Sequence, residues 1–158
     1  MARRSRAREV SLQLLFQQDQ NPKPVPRAAI VKFATDRLMD RDLTAFCLSL
    51  YDGVLQHQKA IDELLTVTAE NWRLRRMLPA DRNTLRLGTY ELLHAPTLEP
   101  TAAILNEAIE LARRFGTADS PAFVNGILDK IAKKKPEPVV DAAIVSETRD
   151  VKIIPATN

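Results

Sequence analysis

Cysteine, histidine and glycine are nearly absent from this chain of 158 residues, and each shortage closes off a class of chemistry. One cysteine, Cys47, permits neither a disulfide framework nor a cysteine zinc set. The two histidines, His57 and His94, fall on separate helical segments, so no metal and no cofactor is expected. Four glycines, none clustered, leave no glycine-rich phosphate loop, and no Ser, Cys or Lys stands in a recognisable nucleophile context. The chain therefore reads as a non-enzyme. No apolar run reaches the roughly 18 residues of a membrane helix, and the arginine-rich start lacks a signal-peptide core. A cytoplasmic protein with a reduced, buried thiol is expected.

What the chain does have is helix-forming sequence and positive charge. Leu and Ala are abundant, and 45% hydrophobic residues suffice for a real core in a chain of this length. The formal net charge is +3, but residues 136–158 hold four acids and two bases, so residues 1–135 carry +5. The part that folds is the basic part.

The spacing predicts a first helix over 2–18, with Ala7, Val10, Ser11, Leu14 and Leu15 on one stripe. Arg3, Arg4, Arg6 and Arg8 spread around its first turns with only Glu9 nearby, so a cationic end is expected to project into solvent. Phe16 lies opposite the stripe and places an aromatic ring outside. Three prolines at 22, 24 and 26 end this element. A modest second helix follows over 26–38, with Asp40 as N-cap of the next. The longest helix spans 42–66 on the stripe Leu43, Phe46, Cys47, Leu50, Val54, Ile61, Leu64 and Leu65. His57 falls in that stripe and reads as a hydrogen-bonded histidine at the core edge. Trp72 stands among Arg73, Arg75 and Arg76, either extending the basic surface or wedged between subdomains. Pro79 opens a helix to about 94, where Gly88 permits close approach of a neighbour. A helix over 101–115 has Glu110 and Arg114 paired on its outside and ends at Gly116 as a left-handed cap. Ser120-Pro121 then starts a last helix with Phe123, Val124, Ile127, Leu128 and Ile131 inward. Gly126 sits in the interior of that helix, at a cost of about 1 kcal/mol against Ala, so a neighbouring helix or a ligand is expected close to it. These elements make an all-α chain of six to seven helices, with an N-terminal subdomain over 1–70, a C-terminal one over 71–135 and a flexible tail over 136–158.

The run Ala2-Arg-Arg-Ser-Arg-Ala-Arg-Glu9 before Leu14-Leu15-Phe16-Gln17, then Asp81-Arg82, Leu85-Arg86 and Tyr90-Glu91-Leu92, resembles the NusB family of transcription antitermination factors. The later blocks, Asn106-Glu-Ala-Ile-Glu-Leu-Ala112 with Phe115-Gly116, and Ser120 with Phe123-Val-Asn-Gly-Ile-Leu-Asp-Lys130, are the specific part of the match, which covers roughly residues 2–132. The resemblance implies two three-helix bundles packed at right angles. It implies binding of boxA-type single-stranded RNA together with NusE, a small-subunit ribosomal protein, within the RNA polymerase antitermination complex that supports rRNA transcription. It also allows a homodimer. By position, Arg3, Arg4, Arg6 and Arg8 occupy the family's RNA-binding segment, and arginine forks suit phosphates and unpaired bases. Asp119, Ser120, Phe123, Asn125 and Gly126 occupy the stretch beside the RNA, although by periodicity Phe123 is equally core and Asn125-Gly126 equally a packing site. Phe16 and Asp81 fall where the protein partner docks. A competing reading is an accessory RNA-binding domain of the kind fused to RNA cytosine methyltransferases.

Overall fold

The computed structural model describes residues 3–96 and 99–134; the expected tail, 136–158, lies outside the described residues. Six α-helices and one short 3-10 turn make up the described chain, with no strand. They are α1 (Arg3–Asp19), α2 (Arg27–Leu38), α3 (Arg41–Thr68), the turn Leu74–Arg76, α4 (Pro79–Leu93), α5 (Thr101–Phe115) and α6 (Ser120–Lys133). Helices α1, α2 and α3 pack on one another, as do α4, α5 and α6, and both α1 and α3 pack on α4. The buried apolar residues of the two triads form one cluster.

The ends of the helices follow local chemistry. Asp40 is the N-cap of α3, its carboxylate accepting from the Leu43 amide at 2.9 Å. The chain enters that cap through Met39, the one non-glycine residue with positive φ among the described residues, at 49°. Pro79 opens α4 as its spacing predicts. Gly116 departs from expectation: it closes α5 in extended conformation, with φ −97° and ψ −158°, not as a left-handed cap. Its missing side chain is explained by Ser120, whose hydroxyl fills the space a Cβ would take and accepts from the Thr117 amide at 2.8 Å. Gly88 lets α6 close onto α4, since a Cβ there would stand 2.6 Å from Leu128. Gly53 does the same between α3 and the Tyr90 ring.

Helix α1 is buried on more than the expected stripe. Arg8, Glu9 and Leu12 are buried along with Ala7, Val10, Ser11, Leu14 and Leu15, because α4 and α5 cover the side that α3 leaves open. Polar groups on that second side are matched by ion pairs. Near the C-terminal end of α1, Asp19 accepts from Arg82 Nε and Asn83 Nδ2, each at 3.1 Å, and from Arg86 at 3.2 Å. Arg86 also grips Asp62 of α3 through two bonds of 2.8 and 2.9 Å. Burial works to raise the Asp19 pKa, but the hydrogen bonds from Arg82 and Asn83 and the charges of Arg82 and Arg86 outweigh it and hold the carboxyl below its ordinary value of 3.8.

A group with a depressed folded pKa stabilises the fold above its unfolded value and loses that contribution as pH falls through the folded one. Asp19→Asn is therefore expected to cost about 2–3 kcal/mol near neutral pH, because it removes the carboxylate that pairs with Arg82 and leaves the buried Arg86 with Asp62 as its one acid. The gap between wild type and variant should narrow below about pH 3.8. Urea unfolding at several pH values measures both, and a gap independent of pH would show that Asp19 does not act through its charge.

Candidate nucleic-acid interface

The arginine end of α1 is exposed in part only. Arg3 and Arg4 lie on the surface, and Arg6 is half-exposed. Arg8 is 2% exposed, which corrects the expectation that all four project into solvent. Its guanidinium makes a two-pronged contact with Glu91 of α4, at 3.0 and 2.8 Å, and also meets Glu99 and, at 3.8 Å, Glu107 of α5. Burial opposes its charge, and the three glutamates more than restore it, leaving the Arg8 pKa above its ordinary value. The physical reason is register: Arg8 precedes Leu12 and Leu15 on the side of α1 that α4 covers.

Each remaining arginine of the run also meets a carboxylate. Arg3 reaches Asp40, Arg4 donates to Glu99 at 2.6 Å, and Arg6 donates to Glu9 at 2.8 Å. Arg4 additionally lies over the Phe46 ring, 4.6 Å from its centroid. Arg114 of α5, expected to pair with Glu110, reaches Glu9, and Arg113 takes Glu110. Sequence spacing missed Asp40, Glu91, Glu99 and Glu107 because they come from distant parts of the chain. One signal was available: Glu91 stands one turn beyond the buried Leu87, an acid in an apolar row.

The other predicted residues divide between two surface concavities separated by the first turn of α4. On one side Phe16, 44% exposed, lines a groove of about 510 Å³ with Leu12, Phe33, Phe115 and Ala80. On the other, Asp119, Ser120, Phe123 and Asp81 meet Trp72 and Arg76 around a cavity of about 430 Å³. Asp81 is thus placed with the α6 set and not in the groove of Phe16, although its neighbour Ala80 lines that groove. Ser120 is buried and engaged with Thr117, whereas Asp119 is exposed and Phe123 half-buried. Asn125 and Gly126 face outward, and among the described residues no atom outside its immediate surroundings lies within 4 Å of where a Gly126 Cβ would be. Helix packing therefore does not explain Gly126. Trp72 is 61% exposed, so it is not wedged between subdomains. His57 sits at the core edge as expected, its ring nitrogen 2.9 Å from the Gly53 carbonyl and its ring stacked on His94. No helix among the described residues is long and apolar enough to cross a membrane.

A family model described as "NusB family" matches residues 5–133. The transcription antitermination protein NusB of Anaeromyxobacter dehalogenans is 41% identical over 135 residues, covering 85% of this chain and 94% of its own. The solved structure of T. maritima NusB has a TM-score of 0.74 at 35% identity, covering 85% of this chain and 93% of that one. A crystal structure of the antitermination factors NusB and NusE in complex with dsRNA shares the fold, with a TM-score of 0.74 at 23% identity, covering 84% of this chain and 98% of that one.

The burial of Arg8 separates structural from exposed arginines. Arg8→Gln should destabilise the fold by about 3–5 kcal/mol, since it leaves Glu91 buried without its cation. Arg3→Gln and Arg4→Gln should each change stability by less than about 1 kcal/mol. Thermal unfolding followed by circular dichroism distinguishes the two classes; equal melting temperatures for all three would mean that Arg8 is not held in the core.

Proposed function

The chain belongs to the NusB family, and on that footing we propose that it is a transcription antitermination factor that binds boxA-type single-stranded RNA together with NusE. The observation that carries this reading is the match over residues 5–133 combined with the arginine-bearing end of α1 on the surface. Arg3, Arg4 and Arg6 supply the exposed charge, and Arg8 anchors the helix that carries them. The Arg3, Arg4 and Arg6 guanidiniums are each oriented by a bond to one carboxylate, and the guanidinium fork matches phosphate oxygens in a two-pronged geometry. Asp119, Phe123, Asn125 and Gly126 form a second part of the RNA surface, in which the open backbone at Gly126 gives a sugar or phosphate room to approach. Ser120 contributes by shaping the turn beneath them.

NusE docks on the groove of Phe16, with Asp81 at its flank. An exposed aromatic lying in an apolar groove with two further phenylalanines is the usual make-up of an interface anchor. The shared fold of the NusB found with NusE and dsRNA is consistent with one molecule offering a face to each. The complete complex with RNA polymerase is the setting in which both faces act.

Binding of a labelled boxA-type RNA with and without NusE tests the reading. Mutual enhancement of the two ligands is expected, and equal affinity for every RNA tried would reduce the claim to general basic attraction. The triple variant Arg3→Gln, Arg4→Gln, Arg6→Gln should stay folded and lower the slope of log affinity against log salt by about 2, at roughly 0.7 per contacted phosphate of a single strand. An unchanged slope would place the RNA elsewhere. Phe16→Ala should weaken NusE binding by about 2 kcal/mol with little change in melting temperature. Lost stability with intact NusE binding would instead make Phe16 a core residue.

A further inference from the structure

The groove of Phe16 carries a single charge, and it is positive. Leu12, Phe16, Phe33 and Phe115 give it an apolar lining, Gln13 and Gln17 are neutral, and Arg37 in the last turn of α2 is the one ionised side chain that lines it. Phe33 and Arg37 stand one turn apart on α2, and the guanidinium lies over the Phe33 ring, 3.4 Å from its centroid. Arg37 Nη1 also donates to the Phe33 carbonyl at 3.4 Å. Ring and carbonyl thus hold the head group at the groove. Asp36, the nearest acid along the chain, is taken by Lys32 at 2.8 Å, and no carboxylate among the described residues pairs with Arg37. It differs in this from Arg3, Arg4, Arg6 and Arg8, each of which meets an acid. A cation in the last turn of α2 suits the helix dipole. The dipole does not, however, require a guanidinium laid on a ring beside an apolar groove.

We propose that Arg37 takes a carboxylate from the segment of NusE whose apolar side chain fills the space among Phe16, Phe33 and Phe115. The docking segment is therefore apolar with one Asp or Glu beside its anchor. A guanidinium already placed against a ring loses less freedom on pairing, and its open edge offers a planar carboxylate two N–H donors. A basic segment would set like charge against Arg37. RNA fits less well, because a strand repeats a phosphate at every nucleotide and the groove supplies one cation in apolar surroundings. This contact rests on the docking of NusE in the groove, proposed above, and adds the charge of the segment that docks.

Calorimetric titration of the full chain with NusE tests it, on wild type, Arg37→Gln, Arg37→Lys and Arg37→Glu, with folding checked by circular dichroism. Arg37→Gln should weaken NusE binding about ten- to a hundredfold, the range for hydrogen bonds between charged groups. Arg37→Lys should recover part of the loss, since it keeps the charge without the fork. Arg37→Glu should lose the most. Against that last variant, NusE is then tested with its acids replaced by arginine one at a time, and one such replacement should restore binding. Arg41→Gln, which removes an exposed cation outside the groove, should leave affinity nearly unchanged. Wild-type affinity in Arg37→Gln alongside a loss in Phe16→Ala would overturn the carboxylate contact and leave NusE in the groove. Wild-type affinity in both would overturn the docking of NusE there as well. Equal losses in Arg37→Gln and Arg41→Gln would overturn the contact in favour of general charge attraction. Weakened RNA binding by Arg37→Gln with NusE binding intact would also overturn it, by giving the cation to a phosphate.

Discussion

Arg8 is the contact on which the rest of the structure depends. Its guanidinium draws together α1, the C-terminal half of α4 and the start of α5 through Glu91, Glu99 and Glu107. At the far end of α1 the signs are reversed, with the acid Asp19 on α1 and the cations Arg82 and Arg86 on α4. The two clusters hold α1 and α4 antiparallel. A parallel arrangement would bring Arg8 towards Arg82 and Arg86, like charges in a site of low dielectric. Buried pairs of this kind contribute little net stability compared with apolar residues of the same size, but breaking them is costly. Their effect is to set which way, and at what height, one helix lies on the other.

That constraint divides a run of four similar residues into two kinds. Arg8 turns inward because it shares the side of α1 with Leu12 and Leu15, and Arg3, Arg4 and Arg6 remain at the surface. The outer three are held by Asp40, Glu99 and Glu9. Their forks are therefore ordered before any ligand arrives, and a phosphate must displace or share a carboxylate to use them. The helix that anchors the core is thus also the helix that offers charge to solvent. Glu99 touches both Arg4 and Arg8, so the two functions are linked through one side chain.

The first turn of α4 plays the matching part between the two surface concavities. Ala80 lines the apolar groove of Phe16, and Asp81, next in sequence, lies in the cavity under Trp72. Two concavities of different character, one apolar and one aromatic with an acid at its base, are separated by a single helical turn. That turn is positioned by Pro79 and by Arg82, which donates to the carbonyls of Leu74 and Met77 and so fixes the Trp72 segment against α4.

Much of the fold was legible in the residues themselves. Six helices, their prolines and their main apolar stripes follow from 3.6-residue periodicity and from caps such as Asp40, which act within a few residues of chain. The outward ring of Phe16, the buried Cys47 and the close packing at Gly88 were legible for the same reason. What periodicity could not supply is the partner of a charge. Whether an arginine is exposed depends on which carboxylate lies across the fold, and Glu91 and Glu107 stand far along the chain from Arg8. The extended Gly116, filled by Ser120, and the open Gly126 are likewise settled by what packs nearby. The sequence by itself determined the helices and the basic character of the chain, because both are local or additive properties. Only the tertiary structure decided which arginines are structural and that Trp72, Asp81 and Phe123 share a cavity, because both depend on residues distant in the chain becoming neighbours in space.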